Sequence, residues 1–285
     1  MTRVVGVGDN TVDRYVHLGT MFPGGNAVNV PVLAHRYGNP ASYIGWLGND
    51  DAGRLILDAV RAEGVDVSRC RVVAGPTSYS TVTLVDGDRV FGDSSHGVSS
   101  HLALNAADLE FVSQHDLTHT SIYSHIEEEL PRLREASRSL SFDFSSDWSR
   151  DYLTRILPWT DIAILSYPNA APETIAELLR WAHAQGPRLV VVSSGGAGSW
   201  GFDGGTIHHQ DIVPTEVVDT LGAGDALAAR LLVDYLGGAS LSEAMAAGAA
   251  AAAEACGWYG AFGHGAPFAT TSVAASGDER DVSDG

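Results

Sequence analysis

Seven residues, Asp219-Thr220-Leu221-Gly222-Ala223-Gly224-Asp225, carry the strongest chemical signal in the chain. Leu227, Leu231 and Tyr235 follow at helical spacing, so a helix begins at the glycines. A helix N-terminus presents unpaired N–H groups and a partial positive charge. Glycines on either side of Ala223 let an anion approach the backbone closely, and a phosphoryl group in transfer is such an anion. Asp225 would stand beside it, where a carboxylate is repelled unless it has a task. Accepting the proton of an attacking hydroxyl is that task. The competing reading makes Asp225 a helix cap and the glycines a turn.

Two weaker patterns accompany this one. Ser193-Ser194-Gly195-Gly196-Ala197-Gly198 follows the apolar run Leu189–Val192, and a glycine-rich turn at a strand's carboxyl end suits the base, ribose or phosphates of a nucleotide. Pro23-Gly24-Gly25-Asn26-Ala27-Val28-Asn29-Val30 opens a helix with two asparagines, after Asp9, Asn10 and Asp13. Short polar side chains at element ends match a polyhydroxyl ligand, whose hydroxyls both donate and accept. Tight connections and caps are the alternative for both.

The elements that must hold these groups follow from periodicity. Strands are expected near 4–8, 43–47, 117–122, 140–144, 161–165 and 189–193, with short ones near 199–202 and 206–209. Helices are expected near 26–37, 52–63, 127–138, 149–157, 173–184, 223–236 and 241–255. Alternation of strand and helix implies an α/β fold, a mostly parallel sheet flanked by helices. Residues 79–85 and 89–91 flank Asp86-Gly87-Asp88 as a hairpin, outside that sheet.

Composition narrows the partners. The formal net charge of -18 disfavours nucleic acid and anionic membrane. Every one of the 17 basic side chains is arginine, which removes lysine nucleophiles, Schiff bases and a Walker-type lysine. Cys70 and Cys256 are isolated, as free thiols of a reducing compartment are. With no signal-peptide pattern and no membrane-length apolar run, a cytoplasmic protein is expected. His115, His119, His125 and the pair His208-His209 form no ligand set with carboxylate or thiolate at metal spacing, and read as surface or hydrogen-bonding side chains. Trp148, Trp181 and Trp200 read as core or interface. Asp143 and Ser145 follow a strand and either face the site or cap it.

On these motifs the chain resembles the ribokinase-like (PfkB-type) carbohydrate kinases over about residues 3–267. GGNAVNVPVLAHRYG (24–38) is similar to the family's N-terminal signature, LGNDDAGRLILDAVRAEGVDVS (47–68) to the segment after it, and DTLGAGDALAARLL (219–232) to the C-terminal signature. The resemblance implies a ribokinase-like domain over 1–268, with a small β lid from about 10–22 and 70–97, and a disordered polar tail over 269–285. It implies that Gly222, Ala223 and Gly224 form the anion hole, that Asp225 is the base, and that Ser193, Gly195, Gly198 and Thr220 contact ATP with Mg²⁺. Asp219, Thr220 and Gly260 would sit at a site for K⁺ or another monovalent cation. Asp9, Asp13, Gly24, Gly25 and Asn29 would contact the sugar, and a homodimer would form through the lid.

Within the family, GDNTVDRY (8–15), FPGGNAVNV (22–30), DRVFGD (88–93) and SFDFSSDW (141–148) resemble members acting on ketosamines such as fructoselysine. Such a substrate carries an amine and a carboxylate, so Arg89 and Asp93 of the hairpin are candidates to read its charged end, or are solvated hairpin charges. One departure stands out: where the family has Asn-x-x-Glu for the magnesium's water shell, this chain has Ser166 and Asn169, with Glu173 out of register. A kinase for fructose, another ketosamine or a nucleoside, and a non-catalytic sugar or nucleotide sensor, remain alternatives.

Overall fold

The computed structural model describes residues 1–85 and 88–268, and the side chains of 84–91 fall outside that description. The expected tail over 269–285 and the turn at Asp86-Gly87 therefore lie outside the described residues. In chain order the strands and helices are β1 (Val4–Val7), β2 (Thr11–Tyr15), β3 (Thr20–Gly24), α1 (Asn26–Arg36), β4 (Ala41–Ile44), β5 (Trp46–Gly48), α2 (Asp51–Ala62), β6 (Arg71–Val73), β7 (Tyr79–Val85) and β8 (Asp88–Ser95). There follow α3 (Ala106–Val112), β9 (Leu117–Ser121), α4 (Leu130–Ala136), β10 (Leu140–Asp143), α5 (Arg150–Ile156), β11 (Ile162–Ser166), α6 (Pro172–His183) and β12 (Leu189–Ser193). The chain closes with β13 (Ser199–Phe202), β14 (His208–Gln210), α7 (Ala223–Leu236), α8 (Leu241–Ala255) and β15 (Ala266–Pro267).

Eight strands form the main sheet in the order β14-β13-β12-β11-β10-β9-β1-β4. The strands from β12 to β4 run parallel, and β13 and β14 add an antiparallel edge. Both faces are apolar because both are covered. On β11, Ala163 and Leu165 pack with Leu178 and Leu179 of α6, while Ile162 and Ile164 pack with Leu231 and Leu232 of α7. On β12, Val190 and Val192 take the first side, and Leu189 and Val191 the second. That is the strict two-residue alternation of a strand.

A smaller sheet, β15-β3-β2-β7-β8, stands apart from the first. It contains strands that periodicity did not reveal, 11–15, 20–24 and 266–267, because pairing between distant segments makes them. The strand expected over 43–47 divides into β4 and β5 at Gly45, where a side chain would collide with the folded-back Tyr43 hydroxyl. The helix expected from 127 starts at Leu130, since Pro131 fits only a first turn, and a 3-10 turn occupies Glu127–Glu129.

Helix α1 lies unusually close to the main sheet. A Cβ on Gly6 of β1 would stand 1.9 Å from the Ala27 carbonyl oxygen and 2.8 Å from the Pro31 ring. Gly6 is paired in register with His119 of β9, so its bareness lets α1 settle over that histidine. We expect Gly6→Ala to cost about 2–3 kcal/mol by lifting α1. Urea unfolding checks this, and no loss would mean that α1 moves away without strain.

Candidate active site

The residues after β1 and at the ends of β9 and β10 meet the starts of α1 and α7 in one hydrogen-bond network. Within it stands Asp225, in the first turn of α7. The N-cap is Gly222, in left-handed backbone at φ 80°, and no side chain caps this helix. Asp225 is therefore not a cap. Its carboxylate accepts from two amides of α1 instead: Asn26 Nδ2 at 2.8 Å on Oδ1 and Asn29 Nδ2 at 2.6 Å on Oδ2. Loss of hydration lifts the Asp225 carboxyl to about 7, with Asp143 and Asp9 adding repulsion while the Asn29 and Asn26 amides pull it down. A carboxylate poised there can exchange a proton near neutral pH.

The Asn26 amide also donates to Asp143 Oδ2 at 2.9 Å, so one nitrogen joins both carboxylates. Asp143 ends β10 and takes a second bond from the Ser145 N–H at 2.7 Å. Burial raises its carboxyl to about 6, against the pull of those two donors, and Asp9 adds to the rise. The Asn26 carbonyl oxygen is held in turn by His119 Nε2 at 2.7 Å, and His119 Nδ1 meets Ser141 Oγ at 2.8 Å. His119 is fully enclosed, and burial alone lowers its pKa to about 3, so the ring is neutral.

Gly222, Ala223 and Gly224 stand at the start of α7. The Ala223 N–H makes a long contact of 3.3 Å with the Thr220 carbonyl, and a Cβ on Gly224 would meet nothing within 4 Å. Asp219 is buried, and its carboxylate accepts from the N–H groups of Leu221 and Gly260, both at 3.0 Å, and from the Tyr15 hydroxyl of β2. Of the three residues expected at a monovalent cation, Asp219 and Gly260 are thus bonded to each other, and Thr220 is exposed beside them.

At the end of β12, Ser193 Oγ lies 3.0 Å from Ser166 Oγ at the end of β11, and in the loop that follows Gly195–Ala197 make a single turn. Gly198, at φ 88°, passes so close to the Gln210 carbonyl that a Cβ would lie 2.2 Å away, whereas Gly195 and Gly196 face open space.

Asp9, Asp13, Gly24, Gly25 and Asn29 are brought together at the junction of the two sheets. Asp9 Oδ1 accepts from Ser121 and Ser124, each at 2.8 Å, and from the Ala27 N–H of α1 at 3.3 Å. A Cβ on Gly24 would stand 2.7 Å from Asp13 Oδ2, and one on Gly25 3.0 Å from Asp9 Oδ2. The buried Asn10 Oδ1, Asn29 Oδ1 and Trp46 Nε1 have no partner among the described residues. Such atoms are what a hydroxylated ligand would satisfy. The Arg89 side chain lies outside the described residues. Asp93 is exposed and accepts from the Tyr79 hydroxyl.

The pattern of the pfkB family carbohydrate kinases matches residues 2–264. The chain belongs to that family. Fructosamine kinase FrlD of Bacillus subtilis is 40% identical to the kinase over 270 residues, spanning 93% of this chain and 95% of the relative. Fructoselysine 6-kinase of Escherichia coli is 37% identical over 262 residues, spanning 92% and 100%. Arabidopsis thaliana ribokinase, solved with ribose and ATP, superposes with a TM-score of 0.80 at 24% identity, over 92% of this chain and 94% of that one. The ribokinase-like fold is thereby established. The kinase's cleft also holds what the motifs did not reveal: the Asn26 bridge and the His119 support, which depend on strand register and leave no trace in local spacing.

The glycines of the kinase differ in kind. Gly222→Ala strains a left-handed residue and pushes into Ala261, whose Cα lies 2.6 Å from the added carbon, so a loss of about 1–3 kcal/mol is expected. Gly224→Ala should leave stability unchanged or raised, since it sits in a helix facing open space. Paired urea titrations check this, and equal losses in both would contradict the geometry.

Proposed function

We propose that this kinase transfers the γ-phosphoryl group of ATP to the primary 6-hydroxyl of a ketosamine such as fructoselysine. The observation that carries the reading is Asp225, held by Asn26 and Asn29 at the start of α7 with its carboxyl raised to about 7. The hydroxyl oxygen attacks the γ-phosphorus, the bond from that phosphorus to the β-γ bridging oxygen breaks, ADP leaves, and the hydroxyl proton passes to Asp225. The amides at Gly222, Ala223 and Gly224 take the charge on the phosphoryl oxygens. Ser193, Gly195, Gly198 and Thr220 hold the nucleotide, and the exposed apolar Ile212, Val213 and Val217 offer surface to a base. Asp9, Asp13, Gly24, Gly25 and Asn29 hold the sugar, and the kinship with two ketosamine kinases at 37–40% identity supports the acceptor class.

Magnesium bound with ATP would neutralise charge on the phosphates. The Ser166 and Ser193 hydroxyls at the strand ends are hard oxygen donors and would hold such an ion through its water. Among the described residues no group of three His, Cys, Asp or Glu forms a cage for it. Backbone around Asp219, Thr220 and Gly260 is our candidate for a monovalent cation. The smaller sheet acts as the lid, and its edge strand β8 is the contact for a homodimer. No helix among the described residues is long and apolar enough to cross a membrane, and the free thiol of Cys70 suits the cytoplasm.

Asp225→Asn should lower turnover by about 10²-fold or more at saturating substrate. Near-normal turnover would remove Asp225 as the base. With ATP and a panel of acceptors, mass spectrometry of the product should show fructoselysine phosphorylated far faster than plain fructose. Comparable rates would remove the ketosamine assignment, and phosphorylation of no sugar would favour a sensor.

A further inference from the structure

The mechanism above makes no use of His119, yet no histidine in the structure is more enclosed, and both its ring nitrogens are bonded. We propose that His119 is a positioning residue which, through Asn26, sets the protonation range of the catalytic carboxylate. The proposal rests on Asp225 being the base.

The argument begins with the amide of Asn26. A carboxamide has a donor end and an acceptor end, and nothing in its shape decides which way it points. Here its nitrogen faces Asp225 and Asp143, and its oxygen faces His119 Nε2. Turned by half a rotation, it would place its carbonyl oxygen against two carboxylates. A neutral imidazole carries one proton. If that proton is on Nε2 it donates to the Asn26 oxygen and fixes the amide in the useful orientation, while Nδ1 accepts from the Ser141 hydroxyl. Ser141 and His119 are paired across β10 and β9, so the sheet holds a hydroxyl at Nδ1 that can accept or donate, and the Asn26 carbonyl facing Nε2 selects the tautomer protonated there. The bareness of Gly6, also paired with His119, completes the geometry by admitting α1.

The groups facing Asp225 are Asn26 and Asn29 on α1, Asp143 from β10 and Asp9 after β1. The two asparagine amides are the ones that favour its charged form. Asn29 stands on the helix one turn away and bonds Asp225 alone, whereas Asn26 is the amide that depends on an outside support. Losing that support removes a donor from Asp225 and from Asp143 together, and two neighbouring carboxylates then share protons more readily. The sign is fixed: the carboxylate stays protonated to higher pH, so the acid limb of the rate profile moves up.

The test is the pH profile of kcat/KM for the phosphoryl acceptor, from pH 5 to 9.5, in the wild type, His119→Leu, His119→Gln and Asn26→Ala. His119→Leu is expected to move the acid midpoint up by about one pH unit, which is about tenfold in rate on the acid side, with rates at pH 9 within about threefold of wild type. Asn26→Ala, at the cleft surface rather than in the core, should move it in the same direction and keeps the test open if the leucine variant fails to fold. His119→Gln places an N–H where Nε2 was and should return the midpoint towards wild type. A midpoint unmoved in both His119→Leu and Asn26→Ala, or a rate loss equal at every pH, overturns the inference. A wild-type profile without any acid limb overturns the reading of Asp225 as base instead, so the two failures are distinguishable.

Discussion

One amide nitrogen bonded to two carboxylates is the contact on which the cleft depends. Asp225 and Asp143 come from opposite parts of the chain, the start of α7 and the end of β10, and like charges brought together lose hydration and repel. The arrangement is tolerable because Asn26 supplies hydrogen to each and because further donors, Asn29 and the Ser145 N–H, complete them. The uncompensated remainder shows as raised pKa values, about 7 and about 6. A solvated aspartate would be ionised but a weak base, whereas the half-buried one is matched to neutral pH.

Everything around that contact sets the place of α1. Its first residues carry both asparagines, its Ala27 N–H is tied to Asp9, and its closeness to β1 rests on Gly6. The second anchor is Asp219, whose carboxylate joins Leu221, Gly260 and Tyr15. Tyr15 belongs to the smaller sheet and Leu221 to the turn before α7, so the turn that opens α7 is fastened to the smaller sheet. A movement of one would be felt by the other.

Much of this was legible in the chain itself. Helices 223–236 and 241–255 and the strand 189–193 stand where periodicity puts them, because each is a long apolar pattern with clear ends. The parallel sheet follows from their alternation. Strands β2, β3 and β15 left no periodic pattern, since segments of two to five residues acquire strand geometry only from their partners. The site was legible as motifs and not as a network. Asp225 and the asparagines could be picked out by type and spacing. That Asn26 turns its oxygen to His119 depends on the register of β9 against β1 and β10, which no local pattern records.

The central claim is that a half-buried Asp225 changes protonation near neutrality, and carboxyl carbon NMR of ¹³C-labelled aspartate measures this without reference to turnover. Comparison of the wild type with Asp225→Asn assigns the signal. The account predicts a two-step titration of the Asp225–Asp143 pair with its upper midpoint close to pH 7. An Asp225 signal that titrates in the ordinary aspartate range near pH 4 would contradict it.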